Sequence, residues 1–264
     1  MRVWALPLAL LALASCVTQS VPRRPEQAMA PIVPARPVVV DPVILARRLA
    51  SMQAGWPRSR AFDCARLKCV ALTFDDGPGE HTLRLLDLLR SRDVRATFFV
   101  VGQMVAADKG GHTTRRIVHD GHEIGNHSWS HPALAGLSHE ELKHQLKHTE
   151  NIVRKLTGVR MRVMRPPYGA TDHEVAAETR REGLAQILWN VDTLDWRDRV
   201  ATTVAKRAGE AKPGSIVLLH DIHRSTVDAV PAMLDKLGGK GYTFVTVSEL
   251  YGKTPAPGRT YTER

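Results

Sequence analysis

The sequence has few cysteines and only a short apolar run at its N-terminus. These two features argue against a thiolate zinc site and against a membrane-spanning segment at the N-terminus. Three of the 264 residues are cysteine, and no second pair accompanies Cys64 and Cys69 to complete a thiolate zinc site. The apolar run at residues 3–14 is too short to span a bilayer. Acidic residues are scarce beside basic ones, 27 against 37, so the formal net charge is +10. That charge favours anionic surfaces such as acidic wall polymers, phospholipid or nucleic acid, although a merely soluble basic protein is the other interpretation.

The N-terminus has the pattern of an export signal. Arg2 precedes the apolar run, and small residues then lead to Cys16. The segment Leu13-Ala14-Ser15-Cys16 looks like a bacterial lipoprotein signal, which implies cleavage before Cys16 and a lipid on its sulfur. An ordinary secretory peptide with an incidental cysteine is the alternative. Either interpretation places the protein outside the cytoplasm.

The remaining cysteines, Cys64 and Cys69, stand five positions apart in a compartment where disulfides persist. We expect a small loop-closing disulfide, with two small buried residues or metal ligands as the alternatives. Residues 17–62 carry clustered prolines and little amphipathic period, which is typical of an extended tether. We therefore divide the chain into a signal (1–16), a tether (17–62), a folded domain (63–252) and a disordered C-terminal tail (253–264).

From residue 70 onward, short apolar runs alternate with amphipathic segments. Seven strands are predicted, at residues 70–74, 96–101, 123–125, 162–164, 186–190, 215–219 and 242–247. Helices are predicted between them, at residues 83–90, 114–120, 140–156, 172–182, 200–209 and 227–237. Repetition of strand and helix indicates an α/β fold with a parallel sheet. With about seven strands in one domain, we expect a distorted, incomplete barrel rather than a small open sheet.

In parallel α/β folds the carboxyl ends of the strands open onto one face, so reactive residues are expected there. The first strand ends in Asp75 and Asp76, of which one could bind a cation while the other acts as a base. A helix N-cap pair is the structural alternative. The third strand runs into His127 and His131, whose spacing allows both imidazoles to bind one ion.

Two further strand ends extend this pattern. Arg165, which precedes two prolines, could keep a carboxylate ionised or form only a surface ion pair. Tyr168 has the first free backbone N–H after those prolines, and such a group can receive an oxyanion. Asp195 and Trp196 follow the fifth strand and pair a carboxylate with an aromatic surface on which a sugar ring can stack.

The sixth strand delivers His220, a side chain suited to proton donation near neutral pH. A hydrogen-bonded core histidine is the alternative, but reactive groups at five separate strand ends argue against coincidence. His144 and His148 also have the i, i+4 spacing, yet they lie opposite the apolar face of their helix. We therefore expect them to be solvated.

Taken together, these segments resemble the five ordered motifs of the polysaccharide deacetylases, also called carbohydrate esterase family 4 or the NodB-homology domain. The motifs correspond to residues 73–77, 127–131, 165–168, 192–196 and 218–220. The resemblance extends over roughly residues 69–251. It implies a distorted (β/α) barrel with fewer than the usual eight repeats, and hydrolysis of N-acetyl groups on amino sugars with release of acetate.

The resemblance also implies a bound divalent ion, zinc in the first place and Co²⁺ or another ion as alternatives. Its ligands would be Asp76, His127 and His131. By the same correspondence, Asp75 is the general base that activates water, and Arg165 positions it.

Further roles carry over to the later motifs. His220, oriented by Asp195, is the expected proton donor to the departing amine, and the backbone N–H of Tyr168 is expected to stabilise the oxyanion. Trp196 and Leu218 match positions that line the family's pocket for the acetyl methyl group, although both could be plain core residues.

The sequence supports three functional hypotheses. The main hypothesis is an N-deacetylase of a cell-wall polysaccharide, with peptidoglycan favoured over chitooligosaccharide because a basic, exported protein meets that anionic mesh first. The same machinery could instead remove O-acetyl groups from xylan or another glycan. A non-catalytic wall-binding lipoprotein is the alternative of another class. We expect a monomer anchored to the membrane through Cys16, with no nucleic-acid partner.

Overall fold

A computed structural model describes residues 60–264 of the chain. The predicted signal, its Cys16 and all of the predicted tether before residue 60 lie outside the described residues. Within residues 60–264, nine strands form one sheet: β1 Cys69–Asp75, β2 Thr97–Val100, β3 Glu123–Asn126, β4 Val163–Met164, β5 Ala185–Ile187, β6 Val191–Asp192, β7 Ile216–His220, β8 Thr243–Phe244 and β9 Thr260–Tyr261. Their order is β6-β7-β1-β2-β3-β4-β5-β9, and β8 also pairs with β1. The pairings between these strands are parallel.

Nine α-helices connect the strands: α1 Thr82–Ser91, α2 Gly102–Ala107, α3 His112–His119, α4 His139–Thr157, α5 His173–Glu182, α6 Asp195–Asp198, α7 Ala201–Ala208, α8 Arg224–Gly239 and α9 Val247–Tyr251 among residues 60–264. Short 3₁₀ turns span Lys109–Gly111 and Pro167–Gly169. Ser138 and Glu141 have the sequence pattern of a capping box, and the structure confirms it at the start of α4, since the Ser138 hydroxyl accepts from the Glu141 N–H. The helix ends at Gly158, whose φ of 75° suits a residue without a side chain.

Strand β1 explains how the sheet directs side chains toward the site. All seven of its residues are buried, and successive side chains point to opposite faces. Val70, Leu72 and Phe74 join the larger core, which includes the helix side chains. Cys69 and Ala71 join a smaller cluster on the opposite face, inside the curl of the sheet. The same alternation carries Asp75 to the inner face, at the carboxyl end of the strand.

The α/β fold and its incomplete barrel are confirmed, because the parallel sheet curls and remains open between β6 and β9. All seven predicted strands are present, several of them shorter than predicted. The strands β6 and β9 and the helices α2, α6 and α9 are additional. Within the described part of the chain, no helix is both long enough and apolar enough to cross a membrane.

The predicted disordered tail at residues 253–264 is wrong. Thr260 and Tyr261 pair with Gln186 and Ile187, so β9 covers the outer edge of β5. The Tyr261 ring packs edge-on against Tyr251 at a centroid distance of 5.0 Å. A strand of two residues has no hydrophobic period to detect, and its pairing partner is more than seventy residues away in sequence.

The predicted disulfide is confirmed, since Cys64 is bonded to Cys69. The bond joins the start of the described chain to the first residue of β1. It therefore closes a small loop at the end of the sheet opposite the polar strand ends.

Candidate active site

The carboxyl ends of the central strands surround a single pocket with a volume of about 470 Å³. Its walls are Asp75, Asp76, His127, His131, Pro166, Tyr168, Trp189, Asp192, Trp196, Leu218 and His220. Eight of the ten residues proposed from the sequence as metal, catalytic or substrate groups thus line it. The other two, Arg165 and Asp195, are fully buried, and each hydrogen-bonds a side chain of the wall.

Asp76, His127 and His131 form a group that can hold a metal ion, because one ligand atom from each lies within 4.8 Å of the others. The Asp76 Oδ1 atom is 3.4 Å from His127 Nε2 and 3.2 Å from His131 Nε2. This oxygen is buried, and no residue among 60–264 donates a hydrogen bond to it. A buried carboxylate oxygen facing two imidazole nitrogens has the donor set of a divalent zinc-type site.

The protonation states of Asp76 and His131 favour the binding of a cation. Burial alone raises the pKa of Asp76, but interactions with His127 and the charges that His220 and His131 carry when protonated outweigh it and lower that pKa to about 2. Burial and the neighbouring His127 lower the pKa of His131 below its ordinary value. The carboxylate is therefore ionised and the His131 ring neutral near pH 7, as metal ligands must be.

Local backbone geometry aims the three ligands at one point. Asp76 has a φ of 74°, which turns its side chain away from that of Asp75 directly after β1. His131 has a φ of 61°, and its N–H donates to the Ser128 hydroxyl at 3.0 Å. His127 Nδ1 donates to the Arg165 carbonyl oxygen at 2.7 Å, which leaves Nε2 for the site.

Arg165 fixes Asp75 from beneath the pocket. The Arg165 Nη1 atom donates to Asp75 Oδ1 at 2.8 Å and to the Thr73 hydroxyl at 2.7 Å. Its Nε and Nη2 atoms donate to the carbonyl oxygens of Ile187 and Leu188. Because the guanidinium is fully buried, burial lowers its pKa while Asp75 opposes the shift. The pair is a buried, charge-assisted contact that orients the carboxylate.

The second oxygen of Asp75 faces the pocket, with Oδ2 3.7 Å from His127 Nε2. On the neighbouring strand β7, where His220 is the register partner of Asp75, His220 Nδ1 donates to Asp195 Oδ1 at 2.8 Å. Burial on its own lowers the pKa of His220, but the hydrogen bond and the charges of Asp195, Asp75 and Asp76 raise it to about 9. A carboxylate and a protonated imidazole therefore line the same pocket as the candidate metal group.

Three residues shape the mouth of the pocket. Tyr168 is 72% exposed and has a φ of 60°, and its N–H donates to no residue within 60–264. Its ring lies 4.8 Å from that of His131. Trp196 is 47% exposed, so its ring face is open to a ligand, whereas Leu218 is buried in the pocket wall.

Sequence reasoning missed two residues at the site. Trp189 lines the pocket and stacks over the buried Arg165 guanidinium at 5.4 Å. Asp221 is fully buried behind the turn after β1; it accepts from the Thr82 hydroxyl and presses on Gly77. Burial raises the pKa of Asp221 to about 7. The sequence signal that could have identified Asp221 is its position directly after His220.

His144 and His148 are exposed on α4, as predicted. Their rings lie 4.3 Å apart, the ring of His148 packs edge-on against that of Trp129, and neither histidine lines the pocket. The i, i+4 spacing alone therefore did not distinguish them from His127 and His131, whereas the position after a strand did.

Comparison with known proteins extends these observations. A family model described as polysaccharide deacetylase matches residues 63–187. The peptidoglycan-N-acetylglucosamine deacetylase PgdA of Listeria monocytogenes is 43% identical over 199 residues, covering 75% of this chain and 42% of that protein. The chitin deacetylase of Colletotrichum lindemuthianum is 38% identical over 205 residues, covering 73% of this chain and 83% of that protein. The chain thus spans about two fifths of the length of the Listeria relative.

Solved structures give the same similarity. A structure described as T48 deacetylase with substrate has a TM-score of 0.71 and 45% identity, covering 76% of this chain and all of that one. A family 4 acetyl xylan esterase from Clostridium thermocellum in complex with a cobalt ion has a TM-score of 0.68 and 34% identity, covering 74% of this chain and 98% of that one.

Proposed function

The chain belongs to the polysaccharide deacetylase family, and we propose that it is a metal-dependent hydrolase that removes N-acetyl groups from amino sugars of a cell-wall polysaccharide, releasing acetate. The observation that carries this proposal is the convergence of three kinds of group on one pocket: a buried carboxylate, a protonated imidazole and a three-residue metal-ligand set. Acyl hydrolysis needs a base for water, an acid for the leaving group and an electrophile for the carbonyl.

In this proposal Asp76, His127 and His131 hold the ion. Their carboxylate and imidazole donors suit Zn²⁺, with Co²⁺ or another divalent ion as alternatives. Such a cation supplies Lewis acidity, since it polarises a carbonyl oxygen and makes water more acidic.

Asp75 is the proposed general base. Its Oδ2 atom faces the pocket and accepts the proton of the attacking water, while Arg165 holds Oδ1 in place. Tyr168 lines the pocket and its N–H donates to no residue within 60–264, so this N–H is the proposed donor to the developing oxyanion.

His220 is the proposed general acid. Its Nδ1 atom is occupied by Asp195, so the proton for the departing amine is held at Nε2. With a pKa near 9, the ring is protonated at neutral pH. An amine is a poor leaving group without protonation, which makes this acid more important for an amide than for an ester.

We place the protein outside the cytoplasm, as a monomer anchored by lipid at Cys16 or released after signal cleavage, with peptidoglycan as substrate. The name of the Listeria relative and the net charge of +10 support that choice of polymer. No nucleic-acid partner is proposed. An O-acetyl esterase is the second candidate, because a solved structure similar to this chain is an acetyl xylan esterase.

Acetate release tests these functions. Purified protein is assayed on peptidoglycan fragments, chitooligosaccharides and acetylated xylan, before and after EDTA and with Zn²⁺ restored. We expect metal-dependent release from an N-acetylated polymer, abolished by Asp75→Asn and retained by Asp235→Asn, which changes an exposed carboxylate on α8. Release from xylan alone would select the esterase. No release from any glycan with metal present would favour a wall-binding protein.

A further inference from the structure

An exposed guanidinium, that of Arg199, stands at the rim of the pocket outside the five motifs. Arg199 caps the C-terminus of α6 with a φ of 54°. Its Nε donates to the Trp196 carbonyl oxygen at 2.9 Å, and its Nη1 donates to His223 Nδ1 at 2.6 Å. The Trp196 ring lines the pocket, and the His223 ring lies 5.8 Å from that of His220. These two hydrogen bonds hold the guanidinium beside the part of the pocket wall that contains His220.

The charge of Arg199 is uncompensated, unlike that of its neighbours. Arg197 and Arg207 both pair with Asp198, at 2.7 and 2.5 Å. No carboxylate within residues 60–264 forms an ion pair with Arg199, and none of these residues accepts from its Nη2. An arginine carries five N–H groups, and two are used here, so three remain for a ligand.

His223 contributes a hydrogen-bond donor to this part of the pocket rim. Burial and then the charge of Arg199 lower the pKa of His223, so its ring is neutral and accepts at Nδ1. Its Nε2 therefore carries a hydrogen. With His220 protonated nearby, this side of the pocket presents donors and positive charge. Arginine binds carboxylates through two parallel hydrogen bonds, a geometry that its free Nη1 and Nη2 hydrogens can provide.

We propose that Arg199 binds a carboxylate carried by the polymer, on a lactyl or peptide substituent beside the sugar that is deacetylated. This inference rests on the proposed function and deepens it. It assigns the enzyme to acetylated amino-sugar polymers that bear carboxylates, in preference to neutral ones of chitin type.

The test compares two substrates of equal length, N-acetylchitotetraose and a soluble peptidoglycan tetrasaccharide with free lactyl carboxylates. For the wild-type protein, we expect kcat/KM to be higher on the carboxylate-bearing substrate, and the difference to shrink with added salt. Arg199→Gln should lower the ratio of the two kcat/KM values by about twofold to fivefold, mainly through KM, the range expected for an exposed charged pair.

Two further variants separate binding from local structure. Arg199→Lys keeps the charge but not the planar fork, and it should restore part of the preference. Arg197→Gln changes an exposed arginine on the same short helix that is already paired with Asp198, and it should leave the ratio unchanged. A ratio that Arg199→Gln leaves unaltered, or that Arg197→Gln lowers equally, would overturn the inference.

A direct binding measurement tests the role of Arg199 independently of whether the proposed deacetylation occurs. The affinity of the catalytically impaired Asp75→Asn protein for the two tetrasaccharides is measured by calorimetry, with and without Arg199→Gln. A loss confined to the carboxylate-bearing ligand supports the inference even without turnover. If Asp75→Asn binds the carboxylate-bearing tetrasaccharide with the same affinity with and without Arg199→Gln, the inference is wrong. Acetate release by the wild type would still support a deacetylase.

Discussion

His220 Nδ1 lies 2.8 Å from Asp195 Oδ1, and the other carboxylate oxygen of Asp195 accepts from the His220 N–H at 2.7 Å and from the Thr226 hydroxyl. One fully buried carboxylate therefore holds the ring and the backbone of the same histidine. The contact both orients the imidazole and favours its protonated form, which a general acid requires.

Asp195→Asn should move the alkaline limit of activity to lower pH. Asp195 helps to raise the pKa of His220 from its ordinary 6.5 to about 9, so the acid form persists below about pH 9 in the wild type. Without that charge the ring loses its proton at lower pH, and kcat on an amide substrate should begin to fall earlier. The pH profile of kcat measures this shift, with Asp198→Asn as the control because that carboxylate pairs with arginines instead.

The same pair should make stability depend on pH. The folded-state pKa of His220 lies above its unfolded value, so its contribution to the free energy of unfolding is complete below about pH 6.5. It is lost as pH rises through about 9. Denaturant unfolding across this range should show a smaller decline for Asp195→Asn than for the wild type, and an equal decline would contradict the assignment.

Loss of His131 should abolish tight metal binding. It contributes one of the three converging ligand atoms, so His131→Ala should weaken the affinity for Zn²⁺ by more than the roughly 10–100-fold typical of losing an outer partner. Calorimetry measures the affinity. In thermal unfolding, Zn²⁺ at 100 times its Kd should stabilise the wild type by about 2.7 kcal/mol and the variant far less.

His144→Ala is the matched control for that experiment, since His144 is exposed on α4 away from the pocket. It should bind Zn²⁺ like the wild type. Equal losses in the two variants would mean that the high-affinity ion lies elsewhere.

Arg165→Met should destabilise the protein strongly. It would leave the Asp75 carboxylate buried without its cation and the carbonyl oxygens of Ile187 and Leu188 without their donor. Breaking a buried pair in this way costs about 3–5 kcal/mol. Urea unfolding measures the effect. The exposed pair between Arg92 and Asp235 offers a comparison, and Arg92→Met should cost less than about 1 kcal/mol.

Gly77→Ala should disturb the turn that presents Asp76. A Cβ atom at position 77 would clash with the Asp221 carboxyl group, so either the turn or the buried carboxyl must move, at about 1–3 kcal/mol. Both unfolding and Zn²⁺ affinity should report the change. Gly238→Ala in α8 has open space around it and should be neutral or stabilising. If both variants bind Zn²⁺ like the wild type, the turn tolerates the added atom.

Much of the site was predictable because parallel strands share a direction. Asp75, His127 and His220 each follow or end a largely buried strand, and the carboxyl ends of parallel strands meet on one side of the sheet. The capping residues of α4 were equally legible, since their hydrogen bonds span only three positions. In both cases the signal is local, and the geometry of strand or helix converts it into a position.

Other residues gave no such signal. Strand β9 exists because the edge of β5 offers free backbone groups to it, and its own two residues have no detectable pattern. Asp221 and Trp189 acquire their roles from what packs against them, Gly77 in one case and the Arg165 guanidinium in the other. Arg199 is distinguished from Arg197 only by which of them meets Asp198.

The amino-acid sequence by itself determined the repeating strands and helices, the disulfide pair and the identity of the groups at the strand ends, because each depends on neighbours a few positions apart. The tertiary structure alone decided which carboxylate is paired, which is unpartnered and which histidine is protonated. Those properties follow from burial and from charges brought within a few ångströms by folding, and neither is encoded at any single stretch of chain.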